Sequence, residues 1–341
     1  VIESLNTATN QEIVIDSTLD DIAAGGALSL LTKRNFTAAA NGGSFTNSGE
    51  LVLGGGTFTA VQLSQSAGAV LTGFGTVAGP IVSAGSIIAS GGTLAIAGAI
   101  SGSGTLSAAS KNVLDLIGGG SFAGAITGAG NIKIDGALLL NSGTSLSATS
   151  VLEDASVTLG TGTTITNSAG HGFTIAANSG IVTLGGSGTL TNAGTLSKTG
   201  TGEADIGATF INSASVLVGA GKMVFLGQVS GSGAISLTSG ATAVFDTGAS
   251  ATQKVSFLAG SSTLDFGSPA SFLGTIAGFT GSDKIDLLNT AATQLSYAGG
   301  VLTVLNGTTT VATLTFSGTY NNNNFVLGSD SNGGSLISWH A

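Results

Sequence analysis

Residues 98–106 read Gly98-Ala-Ile-Ser-Gly-Ser-Gly-Thr-Leu106, and close variants return as GAITGAGNI at 124–132 and GQVSGSGAI at 227–235. No side chain in the phrase can act as an acid, a base, a metal ligand or a strong nucleophile, so its repetition serves backbone geometry. Its core, Gly-x-Gly-x-apolar, starts at Gly73, Gly102, Gly128, Gly186 and Gly231, at intervals of 29, 26, 58 and 45 residues. A second phrase, apolar-x-Asn followed by Ser or Ala, occurs as FTNSG (45–49), ITNSA (165–169), LTNAG (190–194) and FINSA (210–214). Apart from the gap of 120 residues between the first two Asn phrases, recurrence at one or two times 20–30 residues is the range of stacked solenoid coils.

Between these phrases the apolar residues alternate, as in Leu51 and Leu53, Leu94 and Ile96, Ile132 and Ile134, and Val216 and Val218. Period two predicts strands, and the flanking Gly and Asn predict tight corners, where positive φ is tolerated. Residues 20–33 are the best helical candidate, although they contain Gly25-Gly26. The reading is an all-β chain, a parallel β-solenoid (β-helix) with a carboxy-terminal antiparallel β module. A phosphate-cradling role for Gly-x-Gly needs a preceding strand, a following helix and usually a Lys, and none of these sites supplies them.

The composition supports a folded, repetitive chain. Of 341 residues, 57 are Gly and only 2 are Pro, yet 42% are hydrophobic, which gives ample surface to bury. Eight basic against 17 acidic residues leave a net charge of −9, which argues against nucleic acid and anionic membrane surfaces as partners. Cys is absent, so neither disulfides nor a thiol nucleophile exist. No apolar run is long enough for a transmembrane segment. The start at Val1, without Met, reads as a processed or excised portion of a longer chain.

From about Thr252 the phrases stop and the texture changes. Val301–Leu305 and Thr309–Leu314 flank Asn306-Gly307, a strong hairpin signal. The stretch TIAGFTGSDKIDL (275–287), followed by GGVLTV and VATLTF, resembles the carboxy-terminal modules of large proteins exported by type I secretion in alphaproteobacteria. Its DKIDL phrase is similar to one near the end of calcium-binding repeat proteases of that route. The upstream coils resemble the Gly, Ser and Thr rich repeats of bacterial adhesins and autotransporter passengers. This chain departs from calcium β-rolls in having no tandem Gly-Gly-x-Gly-x-Asp repeat, and it does not end in strands that read as an outer-membrane barrel.

The resemblance implies acids near the end that suit calcium, and Asp265, Asp283 and Asp286 are the candidates. The alternative for Asp283 is a turn in which its carboxylate caps backbone amides. Asn321–Asn324 reads as a polar turn. Among the close acidic pairs, Asp20-Asp21 and Glu153-Asp154 point to opposite faces if they lie in strands, whereas Glu203 and Asp205 share one. The expectation for all of them is solvated acids at turns. Arg34 is the only Arg, and His171 and His340 are far apart.

Three segments are therefore expected: an amino-terminal cap or assembly segment (1–39), the solenoid (40–250) and the carboxy-terminal module (251–341). In the first, EIVID (12–16) reads as a strand. The resulting expectation is a non-enzymatic structural or adhesive protein, extracellular or on the bacterial surface. It requires no cofactor, with calcium as an option. Its partners are further copies of itself in an oligomer or polymer, or a cell-surface glycan. The rival reading is a carbohydrate-active β-helix enzyme, a polysaccharide lyase or hydrolase.

Overall fold

In a computed structural model, the residues that alternate in the sequence become the inner wall of coils built from three short strands each. The structure describes residues 3–6 and 11–341 apart from 239 and 259, with side chains from Ile15 onward. Val1, on which the expectation of a processed start rests, lies outside the described residues. The chain divides into two compact units, Val1–Thr163 and Thr164–Ala341.

The first unit opens with an antiparallel hairpin of Glu3–Asn6 and Gln11–Val14, followed by a single helical turn, Ile15–Thr18. The strand expected over EIVID therefore holds for Glu12 to Val14, while Ile15 and Asp16 are helical. The Arg34 guanidinium reaches the Asp16 carboxylate at 2.6 Å and fastens this turn to the first coil. Residues 20–33, the best helical candidate in the sequence, contain no helix. They form strands Asp21–Ile22 and Ala27–Leu30, because Gly25-Gly26 makes a turn between two segments that pair with the next coil.

Six complete parallel steps follow. The first strand of each coil runs through Ser44–Asn47, Gln62–Gln65, Ile81–Ser83, Ile100–Gly102, Gly120–Phe122, Leu138–Leu140 and Val157–Leu159. Register partners along this ladder are 18 to 20 residues apart, as in Ser44↔Gln62, Ile81↔Ile100 and Ile100↔Gly120. In the early coils the second and third strands are one long strand bent at glycines, as in Glu50–Thr59 and Ser86–Ile96. Later they separate, as in Thr105–Ala108 and Val113–Leu116.

The coil is thus shorter than the phrase intervals suggested. Gly73 and Gly128 sit between the second and third strands of their coils, whereas Gly102 sits between the first and second. Distances between different corners exceed one coil, which accounts for the spacings of 29 and 26. The phrase is needed at both corners for two reasons. Gly102 has φ +113, and a Cβ on it would lie 2.1 Å from the Ser83 carbonyl oxygen of the coil below. A Cβ on Gly104 would lie 2.0 Å from the oxygen of Gly85. Corners of successive coils stack backbone on backbone, and only glycine leaves room.

Inside, Leu106, Ala108, Leu114 and Leu116 are fully buried, and a ring cluster of Phe36, Phe45 and Phe58 fills the early coils with centroids 5.1–5.7 Å apart. Full burial of such a side chain stabilises by about 1.5–3 kcal/mol. Corner polar groups are also satisfied inward: Asn47 Nδ2 donates to the Val70 carbonyl, and Gln65 Nε2 to those of Ala69 and Ser86.

In the second unit the first strands are Ile181–Gly186, Glu203–Ile206, Lys222–Phe225, Thr242–Phe245, Thr263–Phe266 and Lys284–Leu287, with register partners 19 to 22 residues apart. The second strands, Thr164–Asn167, Thr189–Asn192 and Thr209–Asn212, carry the Asn phrases in register. Their amides form a buried ladder: Asn167 Nδ2 donates to Asn192 Oδ1 (2.8 Å), Asn192 Nδ2 to Asn212 Oδ1 (2.9 Å) and Asn212 Nδ2 to Gln253 Oε1 (3.1 Å). Beside it Phe210, Phe225 and Phe245 stack at 5.6 and 5.0 Å.

Parallel coils continue past the change of texture near Thr252, through Thr275–Ala277 and Lys284–Leu287. The antiparallel module is then laid onto both sheets. Ser335–Trp339 pairs antiparallel with Lys284–Leu287 and with Phe325–Ser329. Thr309–Ser317 pairs with Thr275–Ala277 and, across the Asn306-Gly307 turn, with Val301–Asn306, which in turn pairs with Gln294–Ala298. Rings of Tyr297, Phe316, Tyr320, Phe325 and Trp339 pack over Phe279 to close this end. Asn321–Asn324 is a capped 3-10 turn, in which the Asn321 side chain accepts from the Asn323 amide.

Candidate functional site

Strand alternation in the second unit sends Leu264, Phe266, Ile285 and Leu287 inward and leaves Asp265 and Asp286 on the outer face. A register step of 21 residues makes these two aspartates direct neighbours on adjacent parallel strands. The same outer row continues through Val244 and Val224 to Asp205. Both valines are buried, at 3% and 6% exposure, so the row is sheltered despite facing outward.

That shelter sets the chemistry. Burial, and then the neighbouring Asp286 charge, push the Asp265 carboxyl up to about 7, against a smaller pull from Lys222. Asp286 is raised by burial and by Asp330. Asp205 is raised by burial and by Glu203, with which it shares the outer face of its strand as the sequence indicated. Glu203 in turn holds Lys222 at 3.0 Å. One oxygen each of Asp205, Asp265 and Asp286 is buried without a hydrogen-bond partner. The Asp265 carboxyl can therefore keep its proton near neutrality beside Asp286.

Asp283 is turned the other way. It is 1% exposed and accepts from the backbone amides of Ser262 (3.1 Å) and Thr280 (3.0 Å), so it fixes a turn. The three aspartates proposed for calcium are thus split between the inside and outside of the coil. Calcium takes six to eight oxygen ligands, and among the described residues no group of three or more His, Cys, Asp or Glu side chains is placed to hold a metal ion. The structure thus brings Asp265 and Asp286 together and leaves Asp283 apart from them.

Two charged residues point into the coils, one of them, Glu153, where a solvated acid was expected. Glu153 is 0% exposed, while Asp154 remains at the surface side of its strand end. Lys198 is also 0% exposed and donates to the carbonyls of Thr199, Gly200 and Ala220 at 2.6, 2.9 and 3.3 Å. Burial lowers its amine from the ordinary value. The alternation carried this signal, since Glu153 has the parity of inward Val151 and Lys198 that of inward Leu196.

No family model matches the chain, and no match is found among curated proteins. Among the described residues no helix is long and apolar enough to cross a membrane.

Proposed function

We propose that this chain is a non-enzymatic structural or adhesive protein of the bacterial exterior, working as a repeated unit in a surface layer, filament or biofilm matrix. The observation that carries the reading is the outer wall of the coils. In the second unit Thr164, Thr189 and Thr209 stand in register, as do Thr166 and Thr191. In the first unit Ser101 pairs with Ser121 and Ser107 with Thr127. Rows of small neutral hydroxyl side chains at the strand spacing of about 4.8 Å form a regular surface with little charge to repel a neighbour.

An open edge supports association. Among the described residues, Asp21–Ile22 pairs only with Ser44–Asn47, and Ala27–Leu30 only with Glu50–Thr59. Such an edge is a template for another chain. Electron microscopy and light scattering of the purified chain test the reading: a lattice or filaments are expected, weakened by deleting residues 1–18. A monodisperse monomer at high concentration overturns assembly and leaves binding of a cell-surface glycan as the adhesive alternative.

A second reading, a carbohydrate-active β-helix enzyme, draws on Asp265. A carboxyl protonated near neutrality beside a second carboxyl is the pairing that cleaves glycosidic bonds. A screen of acidic and neutral polysaccharides decides it, since new chain ends produced by the wild type and absent with Asp265→Asn favour the enzyme.

A further inference from the structure

The third strands of the first unit carry a column of inward side chains in register: Ile96, Leu116, Ile134 and then Glu153. The first three are aliphatic and buried to within 3% exposure, and Glu153 occupies the next place at 0%. Neither of its carboxylate oxygens completes a hydrogen bond. In the same coil Leu138, Leu140 and Val151 are buried, as are Val157 and Leu159 in the strand that follows.

An ionised carboxylate in such a place is strongly disfavoured, so a buried group without a partner holds its proton instead. Among the described residues no charged group joins burial and the Val157 amide in setting its protonation. Lys133, Asp135 and Asp154, the charged residues on or beside the neighbouring strands, act on one another. Burial drives the Glu153 carboxyl well above its ordinary 4.5 and outweighs the opposing pull of the Val157 amide.

We propose that Glu153 is a proton-controlled latch on the last coil of the first unit, keeping residues 138–159 closed while it is neutral and loosening them when it gives up its proton. The coil lies immediately before the division between the two units at Thr163 and Thr164.

The sign follows from linkage. The folded state binds the Glu153 proton more tightly than the unfolded chain does, so the stabilisation is complete below the ordinary value of 4.5 and is lost as pH rises through the folded value. Between the two values the opening constant of the coil rises about tenfold per pH unit.

Hydrogen exchange of the full chain from pH 5 to 10, corrected for intrinsic base catalysis, tests this. In the wild type the opening constants of amides in 150–159 are expected to climb about tenfold per pH unit and then level off. In Glu153→Gln, which cannot ionise, they stay within about twofold. A flat wild-type profile, or an equal climb in the variant, overturns the proposal. Should Glu153→Gln fail to fold, Glu153→Leu, which continues the aliphatic column, supplies the same comparison. Carbon-13 detection of the Glu153 carboxyl gives an independent reading, and titration at the ordinary glutamate value refutes the latch.

Discussion

Asn192 stands between two coils, accepting from Asn167 at its Oδ1 and donating from its Nδ2 to Asn212, 2.9 Å away. Its Nδ2 also donates to the Ser215 carbonyl at 3.0 Å. Removing one member of a buried ladder strands the polar groups on either side, and each unsatisfied group costs about 1–3 kcal/mol. Asn192→Leu is expected to lower the unfolding free energy by that order, measured by denaturant titration. A change below about 0.5 kcal/mol would show that the ladder adds little to stability.

Two glycines separate the reasons for glycine. A Cβ on Gly104 meets the Gly85 carbonyl at 2.0 Å, whereas Gly170 has φ +80 and open space around it. Gly170→Ala should cost about 1–2 kcal/mol from the left-handed backbone alone. Gly104→Ala should cost more, because two coils must part to admit the methyl group. Thermal unfolding of both variants measures the difference, and equal losses would remove the stacked-corner explanation.

The Asp265–Asp286 pair gives a pH dependence in the second unit. With Asp265 raised from 3.8 to about 7, its proton stabilises the fold fully below about pH 3.8, and this contribution is lost as pH rises through about 7. The wild type should lose on the order of 2–4 kcal/mol across this window relative to Asp265→Asn. Differential scanning calorimetry of both proteins from pH 4 to 9 checks it. Parallel profiles would mean that the pair is solvated.

Asp283 should matter for a different reason. Its carboxylate receives two backbone amides, so Asp283→Ala is expected to cost about 1–3 kcal/mol. The loss should be the same with and without a chelator. Stabilisation by calcium that vanishes in Asp283→Ala would restore this residue as a ligand.

The architecture was legible because its signals are local. Alternation at Leu94 and Ile96 marks a strand, Gly102 marks a corner and Asn306-Gly307 marks a hairpin, each without knowledge of neighbours. The coil length was not, because Gly73 and Gly102 occupy different corners and the distance between them measures no repeat. The Asn phrase misled in the same way: Asn47 ends a first strand of the first unit, while Asn167, Asn192 and Asn212 end second strands of the second. The adjacency of Asp265 and Asp286 depends wholly on a register step of 21 residues. Once a register is known, the parity of Val151 places Glu153 inside; before that it reads as one more acid near a turn.

The glycine corners, where one coil rests on the carbonyl groups of the next, have a mechanical consequence. Hydrogen bonds between coils run along the stacking direction of each unit, so tension applied in that direction loads them one coil at a time. A coil of 18 to 22 residues that peels away pays out roughly 60–75 Å of extended chain. Each unit is thus a reel of slack, yielding in short, nearly equal increments under pull.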